Sequence, residues 1–176
     1  MNYRMLLLFA VLCLAGCASV STTDQSPTAD EVAVRATVNE IYTIVSGEKG
    51  VPRHWDRLKE LMMPSAYLAI SGRAKDGSTR SRTFSVDDFI KGATANSQQE
   101  SFFESPLVTR VEIFGGVATA FSSYASRRVL GGEPFARGVN AFTLVKTPQG
   151  WRICVIAWSE ESTGVALPGA LTVGQN

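Results

Sequence analysis

The sequence predicts an α+β domain in which a curved antiparallel sheet packs against three helices. Three observations carry this. Apolar residues recur at helical spacing between Asp30 and about Ala93, whereas the texture from about Ser101 onward is that of strands. The stretch Phe135 to Ser159 reads FARGVNAFTLVKT, PQG, WRICVIAWS, two β-rich runs either side of a tight turn. The pairs Gly115-Gly116 and Gly131-Gly132 divide the remaining strand region into hairpin-sized pieces.

A chain of 176 residues accommodates one domain with tails. Its 17 Lys and Arg offset 16 Asp and Glu. A near-neutral body gives no electrostatic reason to expect nucleic acid. The cysteines are Cys13, Cys17 and Cys154. The first two fall in or beside a signal segment, so Cys154 stands alone and no disulfide framework is expected. The single histidine, His54, excludes a multi-histidine metal site. No phosphate loop, Ser-His-Asp set or ligand cluster is visible, so neither a metal nor a cofactor is expected.

Residues 1–16 hold a short polar start with Arg4 and the apolar run Met5 to Leu14. A run of about 10 residues is too short to span a bilayer but suits the apolar part of a signal peptide. It ends Leu14-Ala15-Gly16-Cys17, which resembles the bacterial lipobox, in which the cysteine is acylated and becomes the mature N-terminus. The alternative is an ordinary signal cleaved nearby, leaving a free thiol. The resemblance implies a lipoprotein held to a membrane of the cell envelope through Cys17. Ala18, rather than Asp, then implies the outer membrane, facing the periplasm, if the source has two membranes. Residues 17–29 are small and polar without a period, as in a flexible tether.

Asp30 is an expected N-cap for a first helix to about Ser46, with Val34, Val38, Ile41, Tyr42 and Val45 on one stripe. Trp55, Leu58, Leu61 and Met62 form a shorter stripe stopped by Pro64. Tyr67 to Ser71 and Thr79 to Phe84 flank a turn and predict a small hairpin. Ser85-Val86-Asp87-Asp88 has capping-box spacing and starts a third helix to about Ala93. Pro106 marks a bulge or an edge in the strand that follows. Val117 to Val129 is the next strand, then the final hairpin. Residues 162–176 lack a pattern and read as a loose tail.

This order resembles the nuclear transport factor 2-like (SnoaL-like) superfamily, a cone of curved sheet closed by three helices. The resemblance covers residues 30–161. It rests on the early helix, the Trp55 to Tyr67 segment, and the ending Gly150-Trp151-Arg152-Ile153 with Trp158. It implies a cone-shaped pocket and, as in many relatives, a homodimer. The superfamily includes ketosteroid isomerases, with a carboxylate base and an oxyanion-binding Tyr, and scytalone dehydratase, which uses histidines. Those groups do not map onto this chain, and His54 falls outside the strands of the cone.

A three-residue loop at Pro148-Gln149-Gly150 would set Thr147 opposite Trp151, Val145 opposite Ile153 and Lys146 opposite Arg152. It would also set Asn140 opposite Trp158 and Gly138 opposite Glu160. A two-residue turn at Gly131-Gly132 would set Tyr124 opposite Val139. One face would then carry Ala120, Ser122, Tyr124, Val139, Ala141, Val155, Ala157 and Arg137. The other would carry Phe121, Phe142, Leu144, Ile156, Trp158, Asn140 and Glu160. One face packs on the helices and the other is expected to meet a second subunit.

Tyr124, Arg137, Asn140, Trp158 and Glu160 are the candidate ligand-binding residues, polar groups near one end of the sheet beside an aromatic wall. Strand-end pairing and core packing are the plainer alternatives. The functional expectation is a lipid-anchored domain binding a small apolar ligand or a partner protein without catalysis. Alternatives are an isomerase or hydrolase acting on a small hydrophobic substrate, and a structural homodimer. In the catalytic alternative Glu160 acts as base with Tyr124 or Arg137 polarising an oxygen. The expected register puts Glu160 and Tyr124 on opposite faces, which counts against that version.

Overall fold

The computed structural model describes residues 26–74, 76–162 and 165–172. The signal segment, Cys17 and the tether as far as residue 25 lie outside the described residues. Three helices, α1 (Ala29–Val45), α2 (Trp55–Leu61) and α3 (Val86–Ser97), lie with six strands. These are β1 (Met62–Arg73), β2 (Thr79–Ser85), β3 (Phe103–Phe114), β4 (Val117–Arg127), β5 (Pro134–Thr147) and β6 (Gly150–Glu160). They form one open sheet in the order β2-β1-β6-β5-β4-β3. The architecture is the expected α+β layering of a sheet on three helices. All neighbours run antiparallel except β1 and β6, which run parallel. The β5–β6 hairpin leaves one edge of β6 free, and β1 fills it on leaving α2. Every pairing except β1–β2 contains a register shift, and such bulges bend and twist a sheet.

Helix α1 is capped two residues earlier than expected. Thr28, not Asp30, is the N-cap, its hydroxyl accepting from Glu31 N at 3.1 Å. Asp30 is free to accept from Lys146 Nζ at 2.9 Å and Trp151 Nε1 at 3.1 Å, pinning the helix start to the β5–β6 hairpin. The stripe Val34, Val38, Ile41 and Tyr42 is buried against Ala118 and Ala120 of β4, Phe142 and Leu144 of β5, and Ile153 and Ile156 of β6. The two alanines leave room for the helix to approach the sheet. Ser85 caps α3, accepting from Asp88 N at 3.1 Å, and the helix runs on to Ser97, past the expected end. It contributes only half-buried apolar side chains, among them Phe89, to the core.

Two registers differ from expectation. Tyr124 pairs with Gly138, not Val139, and Ser122 pairs with Asn140. The β4–β5 connection is longer than a two-residue turn. Its reversal is Val129–Gly132, closed by Gly132 N donating to Val129 O at 2.9 Å with Gly131 at φ +75. In the last hairpin Thr147 pairs with Gly150, so the loop is two residues and Lys146 faces Trp151. A bulge at Cys154 then takes up the difference, restoring Thr143 opposite Val155, Asn140 opposite Trp158 and Gly138 opposite Glu160. Ala120, Ser122 and Tyr124 thereby join Asn140, Phe142, Trp158 and Glu160 on the inner, helix-covered face. Phe121 moves to the outer face, where it is exposed.

The described part of the tail is not loose throughout. A 3-10 turn, Gly169–Leu171, buries Leu171. Ser123 Oγ donates to Leu171 O at 2.6 Å, and Arg110 reaches Ala170 O. Ser123 and Ala125, on the outer face, are fully covered there. Part of the face where a second subunit was expected is thus occupied by the chain itself. Leu171→Ala is expected to lower stability by about 2 kcal/mol, read from urea midpoints. An unchanged midpoint would mean the turn is not bound to the sheet in solution.

Candidate functional site

Inner-face side chains enclose a hollow of about 170 Å³ at the end of the sheet where β4 and β6 finish and β3 and β5 begin. Its walls include Ile41, Leu58, Leu68, Phe89, Phe102, Phe142 and Trp158, with Glu104, Tyr124, Ser126, Asn140 and Glu160 as the polar lining. A cavity of about 150 Å³ accommodates a benzene-sized molecule. A wider open groove of about 780 Å³ lies between the second half of α1 and residues 130–134, and Glu104 lines both spaces. The hollow is the candidate site, because its walls are apolar and a few polar groups converge in it.

Aromatic contacts shape one wall. Trp158 stacks on Phe84 with ring centres 6.0 Å apart and meets the edge of Phe89 at 6.3 Å. Phe135, half exposed, meets Phe102 at 6.3 Å and is covered on its outside by the Arg128 guanidinium at 3.8 Å. Exposed Phe135 and Glu160 mark the mouth.

The polar floor is a chain of hydrogen bonds. Asn140 Nδ2 donates to Glu104 Oε1 and to Tyr42 Oη, both at 3.2 Å. Tyr42 Oη donates to Ser122 Oγ at 2.8 Å, and Ser122 Oγ shares a proton with Thr109 Oγ1 at 2.7 Å. Ser126 Oγ donates to Glu104 Oε2 at 2.9 Å. Burial pushes the Glu104 carboxyl up to about 7. The Ser126 and Asn140 donors pull the other way, and the charge of Glu160 adds to the rise. Burial also lifts Tyr42 to about 12. Tyr124 is raised by burial first, then by the charges of Glu104, Glu160 and Tyr42, so its hydroxyl stays protonated.

Tyr124 is only 2 % exposed, yet its hydroxyl has no hydrogen-bond partner among the described residues. No fully buried side-chain oxygen or nitrogen is left unpaired there, so this hydroxyl reaches the open space of the hollow. Gly138, its cross-strand partner, makes that position possible. A Cβ at Gly138 would overlap both the Tyr124 hydroxyl and the Ser159 carbonyl oxygen.

Four of the five residues singled out in the sequence, Tyr124, Asn140, Trp158 and Glu160, therefore line one hollow. Arg137 does not. It pairs with Ala125 on the outer face and forms an ion pair with Glu161 at 2.7 Å. The separation of Glu160 from Tyr124 also falls, since both face inward. His54 is exposed ahead of α2. Cys154 is the half-buried extra residue of the β6 bulge. Sequence reasoning missed Glu104. Alternation counted back from Ile113 turns it outward, but a bulge between Pro106 and Val108 reverses the parity and sets Glu104 opposite inward-facing Ser126. Pro106 was the available signal.

No protein-family model and no curated protein matches the sequence. Solved structures do match. A nuclear transport factor 2-like (NTF2-like) protein with a cystatin-like fold from Novosphingobium aromaticivorans aligns over 77% of this chain and 86% of its own, at 18% identity and TM-score 0.54. An NTF2-like protein from Cytophaga hutchinsonii aligns over 73% of this chain and 95% of its own, at 8% identity and TM-score 0.53. A protein with a cystatin-like fold from Nostoc punctiforme aligns over 79% and 97%, at 8% identity and TM-score 0.58. The chain thus has the fold of NTF2-like proteins. At such identities the likeness is one of shape, and a fold of this kind is compatible with both ligand binding and catalysis.

The raised Glu104 carboxyl has a consequence for stability. Between pH 4.5 and about 7 the folded chain holds a proton that the unfolded chain has released. Stability therefore falls as pH rises through that window. Glu104→Gln is expected to remove this slope and to gain about 2 kcal/mol over the parent at pH 8, measured by urea unfolding at pH 5 and pH 8. Parallel pH profiles for the two proteins would contradict the assignment.

Proposed function

We propose that the chain is a small-molecule-binding protein of the cell envelope, anchored by acylated Cys17 and taking a small, largely apolar ligand into the hollow. The observation that carries this is the hydroxyl of buried Tyr124, which opens into an apolar hollow shared with Glu104 and has no partner among the described residues. An occupant with one polar head satisfies it, while Phe89, Phe102 and Trp158 hold the body. The test incubates the full-length chain with an organic extract of cell envelopes and identifies retained molecules by mass spectrometry. Retention is expected, and Trp158→Ala should weaken it about tenfold. A chain that retains nothing is not a ligand carrier.

A second reading is favoured by one specific observation. A carboxyl near pH 7 beside a neutral Tyr can take and return a proton, so Glu104, in place of Glu160, suits the base of an isomerase or hydrolase. Recovery of the retained molecule unchanged after prolonged incubation supports binding; conversion at a rate that Glu104→Gln abolishes supports catalysis.

The anchor rests on the Leu14-Ala15-Gly16-Cys17 signature. Cys17→Ser is expected to move the protein from the membrane fraction to the soluble fraction. Equal membrane association of parent and variant would remove the lipid from this reading.

A further inference from the structure

Among the described residues the hollow is lined by two carboxylates, Glu104 and Glu160, and by no Lys, Arg or His. Nearby cations are engaged elsewhere. Arg128 covers the outside of Phe135 and pairs with Glu100 at 2.6 Å. Arg137 pairs with Glu161 on the outer face. Arg127, in the groove, directs its donors to Gly132 O, Ser105 Oγ and Ala125 O. The groups that do face Glu104 are Tyr42 from α1, Tyr124 from β4 and Glu160 from β6, with Arg127 and Glu133 on the groove side. Its two protein donors, Asn140 and Ser126, are neutral and supply one hydrogen bond to each oxygen. Each carboxylate oxygen can accept a second. The Tyr124 hydroxyl offers a further acceptor and one donor, neither used by the described residues. The walls are aromatic faces and edges.

We propose that the occupant of the hollow is a small apolar amine, its ammonium group directed at Glu104 and the Tyr124 hydroxyl and its body held against Phe89, Phe102 and Trp158. This rests on the reading of the hollow as a ligand site and names the class of ligand. An ammonium supplies donors for the open lone pairs of Glu104 and of the Tyr124 oxygen. Charge-assisted hydrogen bonds are about twice as strong as neutral ones, and aromatic rings add cation–π attraction. An anionic ligand meets two like charges with no counter-ion. Above about pH 7 a neutral ligand leaves the ionised Glu104 without a counter-charge. Binding also couples to protonation. The amine requires Glu104 ionised, so its binding displaces a proton near pH 7 and strengthens as pH rises through the Glu104 titration.

The test compares benzylamine, benzyl alcohol and benzoate, one ring with three head groups, by calorimetric titration of the full-length chain at pH 8 and pH 5.5. At pH 8 benzylamine is expected to bind about tenfold or more tightly than benzyl alcohol, with benzoate not binding. The advantage of the amine shrinks at pH 5.5. At pH 7 its heat of binding depends on the buffer, because a proton is released. Glu104→Gln abolishes the preference of benzylamine over benzyl alcohol. Tyr124→Phe, which retains the ring, weakens the amine about threefold or more and serves if the first variant does not fold. Benzyl alcohol binding as well as benzylamine at pH 8 overturns the amine assignment while leaving the cavity reading intact. If none of the three binds, the cavity reading fails and the amine with it.

Discussion

Tyr42 reaches from α1 through the interior to the sheet, donating to Ser122 and accepting from Asn140. Everything else in the site is placed by this contact. A tyrosine hydroxyl in an apolar interior must find partners, and there are few heights of helix over sheet at which this one can. The small side chains Ala118 and Ala120 beneath α1 allow the approach, and Asp30 holds the far end of the helix to the last hairpin. With the helix so fixed, Asn140 has one amide hydrogen for Tyr42 and one for Glu104. The carboxylate is thereby tied to the same network that docks the helix. Stability and site chemistry share these atoms.

Much of the fold was legible because it depends on local patterns. The α1 stripe, the Ser85 cap, the Pro106 bulge and the five strands from Thr79 onward all leave short-range signatures. Register did not, because it depends on how many residues each turn takes out of the ladder. At β4–β5 the ladder begins at Arg127–Pro134, two residues off the expected pairing, and a bulge at Phe135 takes one back, so the net slip of one moves Tyr124 to the face of Glu160. At β5–β6 a short loop and a compensating bulge at Cys154 cancel, so the lower half of that hairpin was read correctly despite a wrong turn. The site inherits both effects. Tyr124, Asn140, Trp158 and Glu160 were recognised as a group, but Glu104 was hidden by a parity change and Tyr42 passed as one apolar stripe residue among several. The docking of Leu171 on Ser123 is a long-range contact that nothing near it in sequence announces.

The three solved structures named above share its shape at identities of 18% or less. Shape alone therefore does not define the site, and the chemistry of the lining carries the reading. Two carboxylates, a neutral tyrosine and an aromatic wall form a site with a definite electrostatic sign, while the chain as a whole is close to neutral. Net charge hides such local asymmetry, because the compensating cations pair outside the hollow.

Asp30 is fastened beside Lys146, whereas Phe135 and Glu160 stand at the other end of the same strands. The 12 residues of β5 from Phe135 to Lys146 span roughly 35 Å at about 3.3 Å per step. The polypeptide thus enters the fold at one pole and opens its chamber at the opposite one. Under the proposed anchoring through Cys17, the doorway lies at the pole remote from the point of attachment.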